Sequence, residues 1–110
     1  MDKKVLAMVL MLTFLPYFAH AGPAAHSYKP AEGYVPDAAT AIKIAEAILT
    51  PIYGKEVINR EQPLVAQLNA GVWVVTGTLH CPAHQRCLGG VAVIEIAKDD
   101  GRILRVSHGK

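Results

Sequence analysis

Leu79 to Gly90 reads LHCPAHQRCLGG and holds both cysteines of the chain and two of its five histidines. Three chemistries compete for these residues. His80, Cys81, His84 and Cys87 are all zinc-ligand types, and His84 stands three residues from each cysteine. C-x5-C is nevertheless not a usual zinc spacing. A dithiol redox centre of the familiar kind needs C-x-x-C, which the chain lacks. The third chemistry is a disulfide between Cys81 and Cys87. A ring of about seven residues would contribute roughly 2 kcal/mol in the loop-entropy picture.

The N-terminus bears on that choice. Met1-Asp2-Lys3-Lys4 is a short, net positive start, and Val5 to Phe18 is an apolar run broken only by Thr13 and Pro16. Ala19-His20-Ala21 follows with the small-x-small pattern of a cleavage site. Together they read as a secretory signal peptide over 1–21, with cleavage after Ala21. The alternative, a membrane anchor, would have to cross roughly 30 Å of hydrocarbon with too short a run. An exported chain with an even cysteine count favours the disulfide over the metal or free-thiol readings.

The same loop is a candidate contact surface. A stapled tip carrying Pro82, His84, Gln85 and Arg86 is ordered before it meets a partner, which lowers the entropy cost of association. The competing reading is a solvated tip whose staple only supports the fold. His108 is the other residue with chemistry to offer, and Glu46 or Glu95 are its expected acid–base partners. No serine or cysteine in a nucleophile motif accompanies such a pair, so catalysis is not expected. Gly89-Gly90 lacks the strand-before, helix-after context of a phosphate loop and reads as a strand-entry turn.

Charge excludes one class of partner. From Gly22 onward nine Lys and Arg face eight Asp and Glu, too even a balance for a phosphate-gripping face. Nucleic acid is therefore not expected. Arg102 and Arg105 lie at an odd spacing in one strand and point to different faces, as solvated charges by default.

The elements that must position these residues follow from period and punctuation. Residues 22–36 are rich in Pro, Ala and Gly, without an apolar period, and read as a loose arm. Asp37 is a strong N-cap for AATAIKIAEAIL, in which Ile42, Ala45, Ile48 and Leu49 fall on one stripe. Pro51 should end or kink that helix near Thr50, with Gly54 available for a turn. From Pro63 the period becomes two. Leu64, Ala66 and Leu68 form one face of a strand, Asn69-Ala70-Gly71 a turn, and Val72 to Leu79 the next strand. In that strand Trp73, Val75 and Leu79 face the core, and Gly77 marks a bulge or a close approach. Val91 to Ala97 and Arg102 to Ser107 are the last two strands, joined through Asp100-Gly101. If Val72–Leu79 pairs with Val91–Ala97, a Cys81–Cys87 bond pinches their connection near its base. The expected fold is α+β, one main N-terminal helix packed on a four-stranded antiparallel sheet, with the domain over 37–110.

Three stretches then carry a resemblance: VPDAATAIKIAEAILTPIYGKEVI, QPLVAQLNAGVWVVTGTL and LGGVAVIEIAKDDGRILRVSHGK. In their order and spacing, Tyr53-Gly54, Trp73 to Gly77, Leu88-Gly89-Gly90 and Ser107-His108-Gly109-Lys110 resemble the exported immunity proteins of NTF2-like, or cystatin-like, fold. The resemblance spans Tyr34 to Lys110. It implies a protein that binds and neutralises a cognate antibacterial toxin in the periplasm, with no cofactor and no catalytic residues. The candidate partner-binding residues are His84, Gln85, Arg86, His108 and Lys110. Two other readings stay open: a periplasmic small-ligand or metal-binding module, and an inhibitor of a housekeeping periplasmic hydrolase.

Overall fold

The computed structural model describes residues 26–110. The signal peptide expected over 1–21 and the first residues of the arm lie outside them. The described chain forms helix α1 (Ala38–Tyr53), helix α2 (Lys55–Arg60) and strands β1 (Val65–Asn69), β2 (Val72–Thr76), β3 (Ala92–Ala97) and β4 (Ile103–His108). The strands run in the order β1-β2-β3-β4, all neighbours antiparallel. The fold is α+β: α1 lies on one face of a four-stranded antiparallel sheet.

The Asp37 carboxylate accepts the Thr40 backbone N–H at 2.8 Å and the Thr40 hydroxyl at 2.7 Å, and so caps α1. Ala41, Ala45 and Leu49 recur one turn apart and are fully buried. Two alanines let the helix axis approach the sheet before Leu49 fills the space. Opposite them lie Trp73 and Val75 of β2 and Ala92, Ile94 and Ile96 of β3, every second residue of their strands. Burying each Leu or Ile side chain of this set contributes about 1.5–3 kcal/mol.

Three expectations need correction. α1 does not stop near Thr50 but runs through Pro51 to Tyr53. Pro51 and Ala47 both lie on the exposed face, where water can satisfy the Ala47 carbonyl that the proline ring leaves unpartnered. The helix ends instead at Gly54, at φ +98°. Next comes α2, which is too short to show a period in sequence. The third correction concerns β2, which ends at Thr76, so Leu79 is half exposed and takes no place in the core. Leu68 keeps the face expected of it, opposite Trp73 as Ala66 is opposite Val75, but on the edge strand it stays about half exposed.

The end of the arm is tied down. Tyr34 and Val35 donate backbone N–H bonds to the carbonyls of Asp99 and Lys98, and Trp73 Nε1 donates to the Val35 carbonyl at 2.8 Å. Val35 is buried, so the looseness read from composition does not reach it. In β4 the pairing slips by one residue, with Glu95 opposite Arg105 but Ile96 opposite Ile103. This bulge lets Ile103 and Val106, three residues apart, both pack on the core.

Candidate functional site

The chain leaves the sheet after Gly77, whose N–H still donates to the Ala92 carbonyl. Thr78 then donates its N–H to the Glu61 carbonyl and its hydroxyl to the Pro63 carbonyl at 2.6 Å. A ring nitrogen of His80 lies 2.6 Å from the Gln62 carbonyl. These bonds strap residues 78–80 across the α2–β1 connection. Only beyond the strap does the chain reach Cys81.

Cys81 and Cys87 are disulfide-bonded, with Cα atoms 5.8 Å apart. The bond lies farther out than expected. It closes the tip of the connection, not its base, because pairing between β2 and β3 ends four residues before Cys81. With their sulfurs joined, the cysteines are not thiolate ligands. Among the described residues no three His, Cys, Asp or Glu side chains are placed to share a metal ion. His84, Gln85 and Arg86 stand exposed on the tip, His84 at φ +67°.

On the return leg, Gly90 runs against the backbone of Gly109, where a Cβ on either would collide with the other. Between the loop, α2 and the end of β4 lies an open groove of about 610 Å³. Val57, Leu79 and Leu88 give it apolar walls, and Arg60 and His80 line it too. His108 and Glu61 are also part of its lining. Lys110 is exposed, one residue beyond the Gly90–Gly109 contact.

His108 pairs with neither expected partner. Glu95 binds Arg105 on the far face of the sheet, and Glu46 accepts from the Gln62 amide. The partner of His108 is Glu61, with Nε2 and Oε2 2.7 Å apart. Strand alternation explains this: His108 stands opposite Ala92, on the core side, whereas Glu95 points the other way. The other Glu61 oxygen accepts the Ala92 N–H at 2.6 Å. On the other side of the imidazole, Nδ1 lies 2.7 Å from the Gly109 carbonyl.

Both ring nitrogens of His108 therefore face acceptors, which only the doubly protonated imidazolium satisfies. The Glu61 bond first, then the Gly109 carbonyl, raise the His108 pKa above the ordinary histidine value, and burial only partly opposes them. Gly77 makes room for the arrangement. A Cβ there would overlap Glu61 Oε1 and lie 2.9 Å from Glu61 Cβ. The ring of Tyr53 packs against His108 at 5.0 Å between centroids.

The site thus joins α1, α2, β3, β4 and the stapled loop around one buried carboxylate. The one hydroxyl among the described groove-lining residues, that of Thr78, donates to the Pro63 carbonyl and not to the His108–Glu61 pair. Sequence reasoning missed Glu61 because a lone glutamate after a short helix belongs to no motif. The available signal was Gly77, a glycine in a β-branched strand that required a neighbour to explain it.

Residues 40–110, from the first turn of α1 to the last residue, match the family described as NTF2 fold immunity protein. The chain belongs to the NTF2-fold immunity protein family. The match takes in Glu61, the loop and His108, so the groove belongs to the family domain. This immunity-family chain is also 40% identical over 76 residues to "Uncharacterized protein YhhH" of Escherichia coli (strain K12). That similarity covers 69% of this chain and 58% of YhhH, so the chain spans less than two thirds of its relative's length. No solved structure matches the chain. Among the described residues, no helix of this family member is long and apolar enough to cross a membrane.

Proposed function

We propose that this protein binds a cognate antibacterial toxin in the periplasm and neutralises it by covering a working surface. The observation that carries the reading is membership of the immunity family across 40–110. In this reading neutralisation works by occlusion, and the acid among the described groove-lining residues, Glu61, is engaged by His108 and Ala92. Two features support the periplasm. The N-terminal sequence has the form of a signal peptide, and the Cys81–Cys87 bond is at home in an oxidising compartment. The contact surface is assigned to His84, Gln85 and Arg86 of the tip together with His108 and Lys110.

The test is rescue of growth. The toxin encoded beside the gene is directed to the periplasm of a sensitive host, with this protein supplied either with its leader or without it. Growth restored only by the exported form is the expected result. Killing that persists despite a folded, exported protein would overturn the reading.

A further inference from the structure

Charge is sorted along the molecule. At the turn end, Lys29 pairs with Asp99, Lys98 with Glu32 and Arg102 with Asp100, and on the sheet Arg105 pairs with Glu95. At the groove end, Arg60, Arg86 and Lys110 form no ion pair among the described residues. The acid in the groove, Glu61, is buried and held by His108. Glu56 stands at the start of α2 beside Lys55 and cancels no more than that neighbour. Among the described residues the groove end therefore carries more side-chain cations than free acids, although the whole chain has a formal net charge of only +2.

The same end shows an apolar surface that the fold does not cover. Leu88 is 94% exposed and Leu79 49%, and both line the groove with Val57. Leu88 follows Cys87 directly, so the disulfide holds one end of its segment before any partner arrives. Apolar side chains on a preordered loop, with Arg60 in the same groove and Arg86 and Lys110 exposed on the segments that adjoin it, match the make-up of an interface centre with a charged rim.

From this we infer that the groove end is the toxin-contacting face, and that it takes an acidic segment of the toxin whose apolar side chain enters between Leu79 and Leu88. The inference rests on the immunity reading and adds the chemistry of the partner. Arg60 lines the groove, while Arg86 and Lys110 meet carboxylates outside it. Glu61 presents no free charge to repel the incoming acid.

The experiment measures affinity between the purified, disulfide-bonded protein and the toxin domain encoded by the adjoining gene, at low and at moderate salt. Arg86→Glu with Lys110→Glu, and separately Leu88→Asp, are compared with Lys43→Glu, a charge change of the same sign on the exposed face of α1. All these positions are exposed, and a thermal melt confirms that each variant folds. The expected result is a loss of at least tenfold in affinity for each groove-end variant, little change for Lys43→Glu, and weaker wild-type binding as salt rises. Wild-type affinity in both groove-end variants, or equal losses in Lys43→Glu, would overturn the assignment while leaving immunity standing. No binding by the wild-type chain would overturn the immunity reading and the interface with it.

Discussion

Glu61 and His108 lie 47 residues apart in the chain and 2.7 Å apart in space. Their contact ties the end of α2 to the end of β4, and the second Glu61 oxygen extends the tie to the first residue of β3. The loop that carries the candidate interface springs from the same place.

The pair makes stability depend on pH in a stated direction. The folded protein raises the pKa of His108, so it binds the ring proton more tightly than the unfolded chain does. That contribution is complete below the unfolded value of about 6.5 and is lost as pH rises through the folded pKa. Thermal melts between about pH 5 and pH 9 should show wild-type stability falling relative to Glu61→Gln as pH rises. The glutamine keeps an acceptor for Ala92 and donates to a neutral imidazole, so its profile should lack this component. A wild-type minus Glu61→Gln difference that does not change with pH would show that the pair is not ionic.

Gly77→Ala should be costly although alanine suits strands better than glycine. Its Cβ would overlap the buried carboxylate and force Glu61 away from Ala92 and His108. A loss of about 2 kcal/mol is expected from overpacking of this kind, measured by denaturant unfolding. The cost should shrink in a Glu61→Ala background, because the two residues share one space. Equal costs in both backgrounds would mean that the clash is not with Glu61.

The disulfide should stabilise the protein without shaping the sheet. Its cysteines are six positions apart and both lie beyond the β2–β3 ladder. Cys81→Ser with Cys87→Ser should cost roughly 2 kcal/mol by the loop-entropy relation. Amide signals of β1 to β4 should stay in place while those of 81–90 move. Oxidised protein purified from an exporting host should give no thiol reaction until it is reduced.

Trp73→Phe keeps the ring in the core and removes one bond, that from Nε1 to the Val35 carbonyl. An orphaned buried carbonyl costs about 1–3 kcal/mol. Hydrogen exchange at Tyr34 and Val35 should accelerate most, since their N–H groups are bonded to the turn beside that contact. Unchanged protection there would show that the Trp73 bond does not hold the arm.

The parts of the fold legible in sequence are those with a period or a strong stop. Asp37 capping α1, the alternating strands, and the turns at Ala70-Gly71 and Asp100-Gly101 all carry local signals. Ala70 and Gly71 both adopt positive φ, as a two-residue hairpin loop requires. The family resemblance was equally legible, because several short pieces recur in one order. What local signals did not reveal was long-range or irregular. α2 is one and a half turns, too short for a stripe. Leu79 continues a strand by composition, yet Thr78 bonds to Glu61 and Pro63 instead of to β3. His108 had two plausible acids in sequence, and only strand alternation and the bulge in β4 decide which face it occupies. Glu61 acquires meaning through Gly77, Ala92 and His108, none of them near it in the chain.

The central claim is neutralisation by stoichiometric binding. Its most direct measurement is a titration of the purified domain of a candidate cognate toxin with the oxidised protein, following the toxin's killing or enzymatic activity. The account predicts a linear fall that reaches zero near one equivalent, with a complex of matching stoichiometry on a sizing column. Full toxin activity at several equivalents would contradict it, as would complete loss at a small fraction of an equivalent, which would point to catalysis.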